Sequence, residues 1–519
     1  MPYAPFIMLD EKSALPLYRQ IYEAIRHAIL SGNLRPTAPL PATRLLSKEL
    51  GISRMTVINA YDQLFAEGYL EAKTGAGTFV AAHLPEEFLQ TSGVERREQT
   101  ESSVARKVNF SAYGKNLAQH SQSILRHHGA STLLPFEHGV PGAEEFPFHV
   151  WAKIAQRWQK KPPSSILSYG ESAGFRPLRE AIAAHLASAR GLSCEVEQIV
   201  ITNGTQQALD LIGRIFLTKT NDVYLEDPGY FGARDIFAAT GARLVPVPVD
   251  EEGFDLHTAR RLSRRARLVY VTPSHQYPLG VTMSLARRLN LLEWARDRDA
   301  FIIEDDYNSE YRYSGRPLAS LQGLDRDGRV IYLGTFSKTI FPALRLGYLV
   351  VPANLIEVFA AARALTDLHS PSLDQAVLAE FIAERHYARH VRRMRGVYEA
   401  RQQVLVEEVR KNLGGSLEVA PAEAGMHLIG WLPRGISDRD VSRRAAQANL
   451  TIAPVSAYCL DQILRGGLLL GYTAFNEKLI RQGVKKLARV LEQISIECRA
   501  GQRTHHRDTE DRELAQSRR

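Results

Sequence analysis

The 519-residue chain is poor in cysteine: it has three, and Cys194, Cys459 and Cys498 form no C-x-x-C pair. Thiols so far apart exclude a disulfide framework and a thiolate zinc site, and no metal is expected. No uncharged apolar run approaches the roughly 18 residues that a membrane span needs. Residues 1–12 also lack a basic stretch leading into an apolar core. These absences argue against secretion and membrane insertion and predict a cytoplasmic protein without a membrane partner. Neither sign of charge dominates, since 65 basic against 57 acidic residues leave a net +8. That balance permits a nucleic-acid partner without demanding one. Internal repeats are absent as well. What is present is an ordinary globular composition, 45% hydrophobic and 24% charged. The length exceeds the roughly 250–300 residues at which a single core stops growing, so at least two domains are expected.

Leu17, Ile21, Ile25 and Ile29 recur every four positions and predict a helix that stops at Ser31-Gly32-Asn33. Pro36, Pro39 and Pro41 then keep the chain open. A second helix is expected over about 43–50, ended by Gly51, and a third from Arg54 to about 67, capped by Ser53 and ended by Gly68. Segments 69–72 and 77–80 flank a glycine-containing turn and read as a hairpin. Helix, turn, helix, hairpin is the winged-helix order. Residues 82–131 are rich in Glu, Arg, Gln, Ser and His and read as a flexible linker. From Phe136 onward, apolar runs at 198–202, 223–226, 268–272, 301–304 and 330–333 alternate with amphipathic helices. Runs buried on both faces imply a parallel-rich α/β sheet. Residues 499–519 hold six Arg and four acidic residues with almost no apolar side chains and read as a disordered tail.

In the first module, Ser53, Arg54 and Thr56 sit at the start of the third helix, where short polar and basic side chains can enter a major groove. Arg44 and Lys73 could neutralise flanking phosphates. On charge alone the case is even, because residues 1–80 hold 8 basic and 7 acidic side chains. The plainer alternative makes Ser53 and Thr56 caps and leaves the arginines solvated.

Four stations in the larger module make sense together for one ligand with a phosphate, an aromatic ring and an aldehyde. Asn203-Gly204-Thr205 lies at a strand-to-helix junction whose free N–H groups could cradle a phosphate. Glu304-Asp305-Asp306-Tyr307 puts carboxylates at a strand's carboxyl end, where open α/β sheets bind ligands. Thr335-Phe336-Ser337-Lys338, with Arg345 seven residues on, offers a lysine able to form a Schiff base and groups able to hold phosphate. Glu226-Asp227-Pro228-Gly229-Tyr230 presents a ring for stacking. Singly, each reads equally well as a common turn or a surface residue.

Two resemblances follow from these motifs. Residues 13–80 resemble the GntR winged-helix domain in the Leu40-Pro41-x-x-Arg44 turn, Gly51-x-Ser53-Arg54-x-Thr56-Val57, the Ala60-Tyr61 pair and the Gly75-x-Gly77-Thr78-Phe79 wing. That resemblance implies operator double-stranded DNA as partner, contacted by Arg44, Ser53, Arg54, Thr56 and the wing around Lys73, Gly75 and Gly77. About 135–490 resembles the fold type I pyridoxal-phosphate enzymes of the aspartate aminotransferase superfamily. It implies pyridoxal 5'-phosphate as cofactor and Lys338 as its Schiff-base lysine and catalytic residue. Asp305 would pair with the pyridinium nitrogen, although Asp306 is one residue away and the spacing to Tyr307 alone makes the choice. Tyr307 would bond the ring hydroxyl and Tyr230 would stack on the ring. Gly204, Thr205, Thr335, Ser337 and Arg345 would hold the phosphate.

The whole chain thus resembles the MocR/GabR-type regulators. The expected architecture is a small α+β winged helix-turn-helix (1–81), a flexible linker (82–131), a large α/β aminotransferase-like domain (132–498) and a tail (499–519). The resemblance implies a head-to-tail homodimer whose large domain senses a small amine, an amino acid or the cofactor itself. Two departures stand out. Tyr277-Pro278-Leu279-Gly280 replaces the usual Asn-Pro-x-Gly, so His275 or Gln276 would substitute for the asparagine. Leu469, in Leu468-Leu469-Leu470-Gly471-Tyr472, stands where aminotransferases carry the arginine that grips the substrate's α-carboxylate. A leucine cannot make that bidentate pair. This argues against the rival reading, a working aminotransferase with a DNA-binding appendage. A third reading, a large domain used only for dimerisation, conflicts with the intact set of Asp305, Lys338 and Arg345.

Overall fold

A computed structural model describes residues 7–10, 13–73, 77–84, 109–120, 133–315, 319–461 and 465–517, with backbone alone at 120 and over 498–517. The chain divides into two compact units, Met1–Val108 and Asn109–Arg519.

In the first unit, helix α1 (Leu17–Leu30) buries Ile21, Ile25 and Ile29, the face that the four-residue spacing predicts. Helix α2 (Thr43–Leu50) ends on Gly51 at φ 68°, a left-handed conformation that favours glycine. Ser53 then opens α3 (Arg54–Ala66), its hydroxyl accepting from Met55 N. Val57, Ala60, Tyr61 and Leu64 of α3 close the core against α1, and Tyr61 OH donates to Pro41 O at 2.9 Å. Strands β2 (Leu70–Lys73) and β3 (Gly77–Val80) form the expected hairpin. The stretch predicted to stay open contributes a further strand, β1 (Pro39–Leu40), paired antiparallel to β3. Its position at the sheet edge tolerates a proline, which has no N–H to give.

The second unit carries an eight-stranded sheet ordered β4 (Ile199–Thr202), β11 (Gly347–Val350), β10 (Val330–Thr335), β9 (Phe301–Asp306), β8 (Ala266–Val271), β5 (Asp222–Asp227), β6 (Arg243–Asp250) and β7 (Gly253–Phe254). Pairings among β10, β9, β8, β5 and β6 are parallel, while β11 runs antiparallel to both its neighbours. The buried runs Ile199–Thr202 and Val330–Thr335 match the strands read from the sequence and are buried at every position. A second, antiparallel sheet is ordered β12 (Glu418–Val419), β13 (His427–Trp431), β15 (Gly467–Gly471) and β14 (Ala453–Pro454).

Two expectations need adjustment. The described part of the 82–131 stretch includes a helix, Ala112–His120, which joins the large unit. There Tyr113 OH donates to Asp210 Oδ1 and Asn116 Nδ2 to Ala239 O, each at 3.3 Å. Both partners lie about a hundred residues away in sequence, which is why local composition does not reveal the docking. The final helix, Glu477–Ser517, also runs through most of the expected tail. A lack of apolar side chains signals the lack of a buried face, but Arg, Glu, Gln and Ala are all good helix formers.

Candidate functional site

The start of α3 presents Ser53 and Arg54 exposed and Thr56 half-buried, with Arg44 exposed on α2. Arg54 Nε lies 3.4 Å from Thr43 Oγ1, and the rest of its guanidinium faces outward. Lys73 pairs with Glu71 at 3.4 Å and sits 5.1 Å from the Phe79 ring centroid. Gly77 holds φ 110° with nothing near a would-be Cβ. Gly75 lies outside the described residues. Sequence reasoning passed over Met55 and Asn59, both exposed on α3. Met55 is 59% exposed, an apolar tip suited to a thymine methyl. Asn59 follows Thr56 by three residues, which puts it on the same helix face.

The four stations of the large unit meet at the carboxyl ends of β4, β5, β9 and β10. Strand alternation sends the two aspartates to opposite faces. Asp306 accepts from Tyr332 OH at 2.6 Å and Ser309 Oγ at 2.8 Å and pairs with Arg190 at 2.7 Å. Asp305 points to the opposite face, toward Lys338, and accepts from Tyr270 OH at 2.7 Å. Its other oxygen, Oδ1, is buried without a partner, as is Tyr307 OH. Burial pushes the Asp305 carboxyl up to about 7 and the Tyr307 phenol well above its usual range.

Lys338 Nζ donates to Gly139 O at 2.7 Å. Burial brings its ammonium down to about 8, with Asp305 opposing and Arg345 assisting the fall. Tyr230 accepts from Gln206 Nε2 at 2.7 Å and stacks toward Tyr270, with centroids 6.5 Å apart. The phosphate candidates gather around β11: Gly347 pairs with Thr335 on one side and Thr202 on the other. Gly204, at φ 88°, precedes the helix Thr205–Phe216, whose first N–H groups are free of intrahelical partners. A Cβ at Gly204 would come within 3.1 Å of the Arg345 guanidinium, which also donates to Asn203 O at 3.0 Å. Ser337 N donates to Thr335 Oγ1 at 3.2 Å.

Of the two substitutes considered for the missing asparagine, Gln276 is consumed by bonds to its own loop and to Pro228. Its Nε2 donates to Pro228 O at 2.9 Å and Tyr277 O at 2.8 Å, and its Oε1 accepts from Leu279 N at 3.0 Å. His275 instead lies 6.4 Å from the Tyr307 ring with its Nε2 unpartnered. Burial holds its imidazole neutral, down to about 3. Gly139, Tyr270, His427 and Tyr458 belong to the same constellation, although no motif in the sequence marks them.

These residues fit a phosphorylated pyridine aldehyde. The orphaned Asp305 Oδ1 and Tyr307 OH await a ring N–H and a ring hydroxyl, and the Gly204–Arg345 cradle leaves room only for a backbone without a side chain. Comparisons with known proteins agree. Residues 136–465 match the model of aminotransferase class I and II, and residues 17–80 match the bacterial regulatory proteins of the gntR family. The probable rhizopine catabolism regulatory protein MocR of Rhizobium meliloti is 38% identical over 93% of this chain and 95% of its own length. The chain belongs to the GntR regulators fused to an aminotransferase domain. The pyridoxine biosynthesis regulator PdxR of Corynebacterium glutamicum shares the layout at 32% identity over 92% of this chain and 96% of its own. Among solved structures, the α-aminoadipate aminotransferase LysN of Thermus thermophilus matches with TM-score 0.67 at 30% identity, covering 75% of this chain and 98% of LysN. The protein is therefore an operator-binding transcriptional regulator whose large fold type I domain binds pyridoxal phosphate. Among the described residues, no helix is long and apolar enough to cross a membrane.

Proposed function

We propose that this regulator reads the level of a small amine, an amino acid or pyridoxal phosphate itself in the cytoplasm, through cofactor held by Lys338. When bound, the cofactor supplies an aldehyde for a primary amine and a ring that draws electrons from the attached carbon. Lys338 would be the covalent anchor, and Asp305 would hold the proton on the ring nitrogen. Tyr307, assisted by neutral His275, faces the ring hydroxyl, and Tyr230 stacks on the ring. Gly204, Thr205, Thr335, Ser337 and Arg345 grip the phosphate. The observation that carries this reading is the convergence of Lys338, Asp305 and the unpartnered Tyr307 hydroxyl in one buried site. One relative bears pyridoxine biosynthesis in its name, which supports keeping the cofactor among the signals.

Effector exchange at Lys338 would bias the arrangement of two DNA-binding units in a head-to-tail homodimer, a coupling between sites rather than catalysis. An exposed apolar set, Leu167, Tyr169, Leu365 and Leu368, supports a large-domain contact between copies. Leu469, fully buried on β15, supports sensing over turnover, because loss of a well-oriented anchor costs about 10²-fold or more in rate. The test supplies amino donors and a 2-oxo acid to loaded protein and follows the absorption band and product together. Band shifts without turnover are expected. Sustained turnover near about 1 s⁻¹ or above would promote the aminotransferase reading.

Two further outcomes are expected. Cofactor uptake by the apoprotein requires neutral Nζ, so its rate should rise with pH and reach half its plateau near about 8, where Lys338 deprotonates. A rate flat across that range would remove Lys338 as the reacting amine. Arg54→Ala should weaken operator binding by about 1–3 kcal/mol in a base-dependent way if the side chain reads a base edge. A loss that is uniform across sequences, with a shallower salt dependence, marks a phosphate contact instead. Affinity equal to wild type removes Arg54 from the reading surface.

A further inference from the structure

Aromatic rings gather beside Lys338, whose charge reaches His427 among them. Tyr277 stands at their centre, with centroids 5.3 Å from Tyr458, 5.8 Å from Tyr307 and His427, and 5.9 Å from Tyr230. These rings adjoin the lysine directly: Nζ bonds the carbonyl of Gly139, and the preceding residue, His138, lies 6.2 Å from Tyr277. Behind the rings, Leu469 packs with Phe231, Val455 and Tyr458 into a cluster that Tyr277 and Leu279 complete.

The polar tips of these rings are largely committed. Tyr458 OH bonds His138 Nε2 at 3.0 Å, His427 Nε2 bonds Pro278 O at 2.8 Å, and Tyr230 OH takes the Gln206 amide at 2.7 Å. What these three residues offer inward is ring surface. Among the described residues the arginines flanking the region face other groups: Arg345 lies against Gly204 and Asn203 O, Arg234 pairs with Asp235 at 3.2 Å, and Arg312, whose charge reaches His275, pairs with Glu423 at 2.8 Å. A carboxylate carried in among these rings would lose its water and meet no free guanidinium among the described residues, at a cost that neutral phenols and imidazoles do not return.

We infer that the effector of this regulator is a primary amine that has no α-carboxylate and carries an apolar, aromatic body. The inference rests on the proposed cofactor site at Lys338 and narrows its ligand. The amine end needs only the reactive carbon beside Lys338. The body is selected by the Tyr277 and Tyr458 rings, backed by the Leu469 cluster, through the offset and edge-on contacts that aromatic rings favour.

The test uses the full-length, cofactor-loaded protein and a matched pair, 2-phenylethylamine and L-phenylalanine, which differ only in the carboxylate. Binding is read by titration calorimetry and by the melting temperature, with the absorption band as a second signal. The amine should bind at least about tenfold more tightly than the amino acid, the penalty of burying one unpaired charged group. Equal affinity, preference for the amino acid, or binding of neither ligand overturns the inference. Leu469→Arg should narrow or reverse the ratio, and the wild-type pair decides the matter even if that variant does not fold. Failure of the underlying site shows earlier and differently, as a protein that takes up no cofactor before any amine is added, and the inference would fall with it.

Discussion

Lys338→Ala should bind no cofactor covalently: the visible band of the loaded protein disappears, and borohydride fixes no adduct detectable by mass. The expectation is all-or-none because Lys338 is the amine that the fold brings to the site. Its Nζ is held at Gly139 O beside Asp305, and burial lowers it to about 8, so a sizeable neutral fraction exists near neutral pH. The Gly204–Arg345 cradle should still hold cofactor loosely through its phosphate, and dialysis would then remove it. Operator binding by the separate winged-helix unit provides the control for folding. A borohydride-fixable adduct in Lys338→Ala would show that another lysine reacts, and the cofactor assignment would be lost.

The neighbouring aspartates should fail in opposite ways. Asp306→Ala removes the direct ion-pair partner of the buried Arg190 guanidinium and the acceptor of Tyr332 OH, leaving a nearly inaccessible cation with only the more distant Glu304 and Glu310 carboxylates. Breaking a buried pair in this way costs about 3–5 kcal/mol, so thermal unfolding of the large domain should move down by several degrees. Asp305→Asn deletes a carboxylate with only Tyr270 OH for a partner and one bare oxygen, so unfolding should move little. Its effect should fall on the cofactor, as altered absorption and weaker retention, because the charge proposed to keep a proton on the ring nitrogen would be gone. The two variants are read side by side by melting temperature and cofactor spectrum. If Asp306→Ala melts with wild type, or if it alone changes the spectrum, the division of labour between the two residues is wrong.

That division illustrates where sequence reasoning ends. Position in the chain puts both carboxylates at the end of β9, and spacing to Tyr307 favours Asp305 by a single residue. The choice becomes physical only once strand alternation sends one side chain toward Lys338 and the other toward Arg190, more than a hundred residues earlier in the chain. The same holds for Gln276, whose amide is spent on Tyr277 O and on Pro228 O, 48 residues away, and for the helix Ala112–His120, whose partners are Asp210 and Ala239.

By itself the sequence determined the local and repetitive features. The helices of the winged unit follow from apolar spacing, from the Ser53 cap and from the Gly51 stop. The parallel core strands follow from runs such as Val330–Thr335, buried on both faces. Lysine, aspartate, tyrosine and glycine at strand ends marked the cofactor stations, because each demand there falls on one residue type at one spot. Tertiary structure alone decided the pairings: Tyr270 with Asp305, Gly139 with Lys338, Pro39–Leu40 against the wing, and the rings gathered around Tyr277. Hydrogen bonds and ring contacts between distant segments depend on register and side-chain direction, and those are set by the packing of the whole sheet rather than by any stretch of it.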